Sequence, residues 1–346
     1  MNIGIVGMGW IAKNVHVPIL YGNSHVKKIY FYDPYFHDEN YISQYKLYKH
    51  SSYEDMLNES NISLIIICTP NHLHFEQIVK GLESKKYVFC EKPLCIKKNE
   101  IERLQELVLK YPNRLLIGLP NRFRNDMHSL KEFIDKEIGQ VYKINCKWLR
   151  NNGIPGSQWF MNKSTSGGGV LIDLGAHIID LAYWLLNYPD TNSYSVYRDC
   201  LFLNDNSKVA SWHNNNITKI NDSYNIEDTF SCFINVGDNI SISVDLCWAS
   251  FLQYDTTEFE VFGTTGYAKL SSLFGFSQNT QRDSSSIILN SYKENKVLEF
   301  SLKDRKKPFV SMWDHNISTI INNKEVSIDP KMVLKNLLLI ETLNNS

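Results

Sequence analysis

Short, almost wholly apolar runs alternate with helically spaced stretches over the first 120 residues. Five of these runs have the length and the β-branched and aromatic content of buried strands: residues 2–7, 27–33, 63–69, 87–90 and 115–118. Helical spacing occupies the gaps, for example at 72–85 and 97–110. Strands that are apolar on both faces are typical of a parallel sheet covered by helices on both sides. The sequence therefore predicts an α/β domain over residues 1–120.

The rhythm changes after residue 120. A long helix is predicted at 168–186, and two helical segments close the chain near 309–322 and 330–345. Between them lie six alternating segments without intervening helices, at 194–203, 208–213, 226–236, 239–248, 256–263 and 266–272. Consecutive strands of this kind predict an antiparallel or mixed sheet, and hence an α+β domain over residues 121–346. Its terminal helix could pack back on the first domain.

Composition excludes several classes of partner. The chain has 36 Lys and Arg residues against 37 Asp and Glu residues, so it lacks the basic surplus that binds nucleic acids or membranes. Its seven cysteines are scattered without a CxxC pair, which argues against a disulfide framework. No signal-peptide pattern opens the chain, and no uninterrupted apolar stretch approaches the ~18 residues of a membrane span. We therefore expect a cytoplasmic protein without nucleic-acid or membrane partners.

A glycine pattern marks the point where the first predicted strand passes into a helix. The pattern is GxGxxA, formed by Gly7, Met8, Gly9, Trp10, Ile11 and Ala12. In dinucleotide-binding loops the first glycine permits a tight turn and the second lets the backbone approach a pyrophosphate. The helix N-terminus then offers unpaired N–H groups to the phosphates. We expect this loop to bind a nicotinamide dinucleotide.

Asp33 stands 21 residues after Ala12, at the end of the second predicted strand. A carboxylate in that position accepts hydrogen bonds from the adenosine ribose and repels a 2′-phosphate. The neighbouring Pro34 and Tyr35 supply no compensating cation, so the sequence favours NAD over NADP. The alternative is that Asp33 only begins an Asp-Pro turn.

Polar residues also follow the strand at 63–69, where the chain should emerge beside the cofactor. We expect Thr69, Pro70, Asn71 and His74 to form a loop and helix start near the nicotinamide ribose. His72 and His74 together raise the question of a metal. No third ligand stands at a suitable spacing, so we expect no metal site.

Two further motifs carry a family resemblance. One is Glu91-Lys92-Pro93 at a strand end, and the other runs from Gly167-Gly168-Gly169 through Asp173 to His177. Together with the GxGxxA and Thr-Pro-Asn-His segments, they make the chain similar to the glucose–fructose oxidoreductase/inositol dehydrogenase (Gfo/Idh/MocA) family over nearly its whole length.

The resemblance implies an N-terminal Rossmann domain that binds NAD(P), and a C-terminal α+β domain with a large, mostly antiparallel sheet. It implies hydride transfer between nicotinamide and a secondary hydroxyl or ketone of a sugar, a cyclitol, or a phosphorylated or nucleotide-linked sugar. The family's catalytic Lys, Asp and His match Lys92, Asp173 and His177. Glu91 and Lys92 are also expected beside the cofactor. By analogy with the family, the second domain mediates a homodimer or homotetramer.

These residues also suit the chemistry on their own. Oxidising a secondary alcohol by hydride transfer requires a proton to leave the hydroxyl, and histidine titrates near neutrality, so His177 is the expected acid/base. Asp173, four residues earlier, can orient the imidazole or contact the substrate. Lys92 can hydrogen-bond the reacting oxygen and stabilise alkoxide charge. Whether Lys92 or His177 takes the proton stays open at this point.

Four other residues are candidate substrate contacts. Arg122 follows the run at 115–118 and could bind substrate or form a structural salt bridge between the two domains. Arg150 and Trp159 lie in a polar and aromatic loop suited to sugar binding, or to packing of that loop. Asp180 lies one turn beyond His177 and could extend the polar face or simply meet solvent.

Two other functions are compatible with the same fold. A sugar- or NAD-sensing regulator would need the glycines without the catalytic groups. A hydrolase or epimerase would retain NAD and form no net NADH. The intact Lys92, Asp173 and His177 favour a dehydrogenase over the regulator.

Overall fold

A computed structural model describes residues 1–210 and 225–346. They form two compact units. The first contains Met1–Pro120 and Lys306–Glu341, and the second contains Asn121–Arg305 and Thr342–Ser346. The chain thus leaves the first unit after Pro120 and returns to it at Lys306. The segment predicted at 208–213 lies outside the described residues from position 211 onward.

Six strands within the described residues form the sheet of the first unit. They are β1 (Asn2–Val6), β2 (Lys28–Tyr32), β3 (Leu47–Lys49), β4 (Ile62–Ile67), β5 (Tyr87–Glu91) and β6 (Leu115–Gly118). Their order is β3-β2-β1-β4-β5-β6, and each neighbouring pair is parallel. The winding direction reverses between β1 and β4, which is where dinucleotides bind in sheets of this order. The predicted parallel α/β domain is confirmed.

Helices lie between the strands of both units and after them. They are α1 (Val17–Tyr21), α2 (Glu39–Gln44), α3 (Tyr53–Asn58), α4 (Asn71–Glu83), α5 (Lys98–Lys110), α6 (Asn125–Lys136), α7 (Lys163–Ser166), α8 (Ala176–Leu185), α9 (Lys307–Ile321) and α10 (Pro330–Asn345). A π-helical turn leads into α1 at Ala12–His16, and another leads into α8 at Leu171–Gly175. Both turns carry residues that the sequence places at the functional site, a common location for π-turns.

The second unit contains an eight-stranded sheet, counted over the described residues. Its strands are β7 (Val141–Leu149), β8 (Thr191–Asp199), β9 (Thr229–Val236), β10 (Ile240–Cys247), β11 (Thr256–Gly263), β12 (Gly266–Ser272), β13 (Ser284–Ser291) and β14 (Asn295–Ser301). The order is β14-β13-β12-β11-β7-β10-β9-β8. The β7–β10 pair is parallel, and the other neighbouring pairs are antiparallel. This confirms the mostly antiparallel sheet of the second predicted domain.

One face of this second sheet is apolar and packs against helices. Ile144, Cys146 and Trp148 of β7 are buried, and α8 lies against β7 and β10. The helical stretch Lys163–Leu185 is long and apolar enough to cross a membrane by length and composition, but 83% of its most apolar window is buried inside the protein. A core helix of a soluble protein passes the same test.

Several elements differ from the sequence prediction. Strands β3, β7, β13 and β14 were not among the predicted runs. The helix predicted at 168–186 is interrupted at its start, because residues 167–169 form a bend before the π-turn and α8. The predicted strand at 194–203 begins and ends earlier, as β8.

Candidate active site

The glycine loop of the first unit has the backbone that a dinucleotide requires. Gly7 adopts φ +87°, and a Cβ there would lie 2.8 Å from backbone atoms of Cys68 and Thr69, so only glycine fits. At Gly9 a Cβ would meet only the Cys68 carbonyl oxygen, at 4.0 Å. The space beside Gly9 is therefore left open rather than filled by packing, which fits close approach of a pyrophosphate.

Residues 8 and 10–12 complete the loop. Met8 is buried, Trp10 and Ile11 are half-buried, and Ala12 is fully buried against the sheet. The Lys13 N–H donates to the Gly9 carbonyl at 3.1 Å, so the helical hydrogen bonds begin directly after the loop. The first N–H groups of a helix have no acceptor within that helix, so this helix start suits an anion.

Asp33 lies at the C-terminal end of β2 and holds the loop. Its Oδ2 accepts a hydrogen bond from the Met8 N–H at 2.7 Å, and its Oδ1 accepts one from the Tyr35 N–H at 2.8 Å. The bond from the Tyr35 N–H forms the Asp-Pro turn that the sequence analysis gave as the alternative role of Asp33. The bond from the Met8 N–H ties Asp33 to the cofactor loop. Each carboxylate oxygen has a further lone pair that a ribose hydroxyl could use.

His74 is buried among backbone carbonyls. Its Nδ1 lies 2.7 Å from the Pro93 oxygen and its Nε2 lies 2.8 Å from the Thr69 oxygen. Burial lowers the pKa of His74, against the two carbonyls, which favour the protonated ring. The sequence analysis expects this side chain beside the cofactor. In the structure its ring nitrogens contact one carbonyl in the loop after β4 and one in the loop after β5, so His74 links these two loops.

The remaining residues of the loop after β4 prepare the start of α4. The Thr69 hydroxyl donates to Gln77 Oε1 at 2.6 Å. Pro70 caps α4, and Asn71 is its buried first residue. The expected loop and helix start therefore lie at the C-terminal edge of the sheet, where dinucleotide sites form.

Glu91 and Lys92 stand at the end of β5. The Glu91 carboxylate pairs with Nε2 of the buried His16 at 2.8 Å, a contact that spacing in the sequence could not indicate. The Lys92–Pro93 peptide bond is cis.

In the second unit, a buried glutamate explains the third glycine of the Gly167–Gly169 run. Glu227 Oε1 accepts hydrogen bonds from the N–H groups of Gly169, at 3.1 Å, and Leu171, at 2.9 Å. A Cβ on Gly169 would lie 1.8 Å from the Glu227 carbonyl oxygen, so no larger residue fits. Burial raises the pKa of Glu227, partly offset by these amides. Glu227 thus fixes the start of the helix that carries Asp173 and His177.

Asp173 and His177 are positioned by two buried tryptophans of this unit. The Trp248 indole N–H donates to Asp173 Oδ2 at 2.9 Å. The His177 ring lies 5.9 Å from the Trp148 ring, and His177 is only 9% exposed. The two tryptophans are functional candidates that the sequence analysis did not single out.

Arg150 belongs to the same cluster. Its guanidinium lies 4.9 Å from the Trp148 ring centre, on the indole face. Burial lowers the pKa of Arg150, while the charges of Asp173 and Asp255 oppose that shift. The structure therefore brings Arg150 and His177 together around Trp148, with Asp173 near enough for its charge to act on Arg150.

The other candidate substrate contacts have partners of their own. Trp159 lies on the 3₁₀ turn Gln158–Met161, half-buried, with its ring 3.9 Å from that of Phe160. Arg122 donates two hydrogen bonds to Asp180, at 2.7 and 2.6 Å, and both side chains are buried. Both residues belong to the second unit, so this salt bridge is internal to it and not the one between domains that the sequence analysis considered. A substrate contact by Arg122 or Asp180 would have to compete with this internal ion pair. Over the described ranges, no group of three or more His, Cys, Asp or Glu side chains could hold a metal ion.

Sequence profiles match both halves of the chain. Residues 1–119 match the profile described as the oxidoreductase family with an NAD-binding Rossmann fold. Residues 127–269 match the GFO/IDH/MocA C-terminal domain.

The chain is also similar to individual sugar oxidoreductases. It is 29% identical over 283 residues to a UDP-kanosamine synthase oxidoreductase subunit of Amycolatopsis mediterranei. The aligned region covers 81% of this chain and 78% of that protein. It is 27% identical over 201 residues to D-glucoside 3-dehydrogenase of Escherichia coli, which spans 57% of each. Among solved structures, levoglucosan dehydrogenase in complex with NADH and levoglucosan superposes with a TM-score of 0.77 at 17% identity, covering 100% of this chain and 96% of that one.

Proposed function

The chain belongs to the GFO/IDH/MocA family of NAD-binding oxidoreductases, and from that premise we propose that it moves a hydride between NAD and a secondary hydroxyl or ketone of a sugar or cyclitol. His177 takes the hydroxyl proton during oxidation and returns it during reduction. Lys92 hydrogen-bonds the reacting oxygen and stabilises its developing negative charge. Bound NAD supplies the hydride acceptor.

The observation that carries this proposal is the placement of His177. It is a nearly buried imidazole on a helix whose start is fixed by Glu227, and its ring packs near Trp148. Asp173 precedes it by one turn and is held by Trp248. A proton acceptor with a restricted orientation and little access to water suits general base catalysis.

Arg150 supports a carbohydrate as the substrate. Its guanidinium lies on the face of the buried Trp148 ring, and it offers a fork of donors to the hydroxyls of a sugar. We propose Arg150 as a substrate contact, with Trp159 as an aromatic one that stacks on the C–H groups of the sugar ring. The name of the Escherichia coli relative directs the first choice of substrate to a glucose unit oxidised at carbon 3.

A substrate screen tests the proposal. The protein is mixed with glucose, a methyl glucoside, glucose 6-phosphate, a nucleotide-linked glucose or an inositol, and reduced nicotinamide is followed by absorbance with NAD and NADP in parallel. We expect NADH to form with at least one pyranose, and NMR to identify a 3-keto product. Turnover without net NADH, by protein that retains NAD through purification, would instead indicate a hydrolase or epimerase. Binding of sugar and NAD without turnover would indicate a regulator.

Asp33 provides a prediction on cofactor choice. Asp33→Ala should weaken NAD binding about 10- to 100-fold, because a charge-assisted hydrogen bond contributes about 1.5–3 kcal/mol. Binding of NADP should change less, since the variant also removes repulsion of the 2′-phosphate. Titration of both cofactors by calorimetry measures the ratio. Tyr35→Ala is the matched control, because it keeps the backbone N–H that donates a hydrogen bond to Asp33. An unchanged NAD affinity in Asp33→Ala would show that the ribose binds elsewhere.

We also propose a homodimer or homotetramer and a cytoplasmic location. The second sheet has a polar face on which Phe233, Ile288 and Val297 are exposed by 48%, 38% and 61%. An exposed mixture of apolar and polar side chains on a broad sheet suits contact with a second copy. All seven cysteines are free thiols, six of them buried, as suits a reducing compartment.

A further inference from the structure

His16 has both ring nitrogens engaged inside the first unit. The Trp313 indole N–H donates to His16 Nδ1 at 2.9 Å, and His16 Nε2 lies 2.8 Å from Glu91 Oε1. An indole nitrogen can only donate, so Nδ1 must be the acceptor. The ring proton is therefore on Nε2 and is donated to the Glu91 carboxylate. These two partners assign His16 a neutral ring and a single tautomer.

Aromatic rings fix the orientation of this histidine. The His16 ring makes edge contacts with Phe89, Phe309 and Trp313, at centroid distances of 5.4, 6.2 and 5.5 Å. His16 is completely shielded from solvent. Hydrogen bonds in such a low-dielectric environment are stronger than in water, and they leave the ring little freedom to turn.

Glu91 in turn fits a site shaped for its carboxylate. A Cβ on Gly118 of the neighbouring strand would lie 2.9 Å from Glu91 Cδ and Oε2, so the absence of a side chain there makes room for the carboxyl group. On the other side of Lys92, the Pro93 carbonyl lies 2.7 Å from His74 Nδ1. The two residues that flank Lys92 are thus each held by a buried histidine.

We propose that His16 and Trp313 are positioning residues for Lys92. By fixing the Glu91 side chain at the end of β5, they hold the Lys92 backbone in the place from which its ammonium group reaches the reacting oxygen. We call the contacts from Trp313 through His16 to Glu91 the relay. Trp313 lies on α9, 297 residues from His16, so the C-terminal return of the chain to the first unit supplies the last residue of the relay. The inference rests on the proposed role of Lys92.

Three variants test the relay by the rate of hydride transfer in a single turnover. Trp313→Phe keeps the ring but removes the N–H that fixes the tautomer, and His16→Leu removes the donor to Glu91. Each should slow hydride transfer about ten-fold or more, because small misplacements of a catalytic group are costly, while KM for NAD and substrate stay unchanged. His16→Gln should recover most of the rate, since its amide can still donate to Glu91. Equal losses in His16→Leu and His16→Gln would overturn the proposal.

A double-mutant cycle with Lys92 separates positioning from general stability. In a Lys92→Met background, Trp313→Phe should cause no further loss, because the group that it positions is already gone. Losses that multiply in the double variant would overturn the relay. Met312 is a completely buried residue of α9 next to Trp313. Met312→Leu therefore controls for a change in packing, and it should keep the wild-type rate. If Trp313→Phe does not fold, the His16 variants and their double variants with Lys92→Met decide. Full activity of Lys92→Met alone would instead refute the proposed role of Lys92.

Discussion

Replacing His177 with Asn should lower kcat about 10²–10⁴-fold, the usual contribution of a positioned acid/base group. The loss is expected because an amide does not accept a proton at neutral pH. NAD affinity should stay unchanged, since the cofactor loop lies in the other unit. Steady-state kinetics and a cofactor titration on the same preparation measure both quantities.

His128→Asn is the matched control for this experiment. His128 is an exposed histidine of α6 in the same unit, with its ring against Trp184. This variant should keep the wild-type kcat. Free imidazole added to His177→Gly should restore part of the rate if the lost group is a base. Wild-type turnover in His177→Asn would remove His177 from the mechanism and leave Lys92 as the proton acceptor.

Local patterns were enough to predict most of the parallel sheet of the first unit. Apolar runs and the glycine loop are determined by residues close in the chain, and the structure places five buried isoleucine and leucine residues of β4 in the parallel sheet that they predict. The three residues of β3 were not predicted, because a strand that short shows no periodicity. Strand β7 was not predicted either, although its burial alternates; lysine and asparagine interrupt its apolar run.

Residues of the candidate site were predicted only where they belong to a local sequence motif. Lys92, Asp173 and His177 stand in readable motifs, whereas the groups that hold them come from distant parts of the chain. Glu227 bonds to amides 56–58 residues away, and His16 pairs with Glu91 across 75 residues. No spacing rule relates such positions, because tertiary folding alone brings them together. For the same reason the sequence could not show that Arg122 and Asp180 pair with each other.

The Arg122–Asp180 pair yields the other large expected effect. Asp180→Asn should lower the free energy of unfolding by about 3–5 kcal/mol, because it leaves the guanidinium buried without its counter-charge. Arg122 also lies over the rings of Trp184 and Tyr188, at 5.6 and 5.4 Å, so it cannot move to solvent without losing these contacts. The double variant Arg122→Met/Asp180→Leu should regain much of the loss, since neither charge remains. Urea unfolding measures each variant.

Two measurements distinguish a structural role of the Arg122–Asp180 pair from a role in substrate binding. One is the stability of a control variant that breaks an exposed ion pair, and the other is the KM for the substrate. Glu132→Gln breaks the exposed Lys136–Glu132 pair of α6, and it should leave the free energy of unfolding essentially unchanged because solvent screens such pairs. If Arg122 and Asp180 serve only structure, the folded fraction of Asp180→Asn should bind substrate with the wild-type KM at a temperature where it remains native. A raised KM without loss of stability would instead assign the pair to substrate binding.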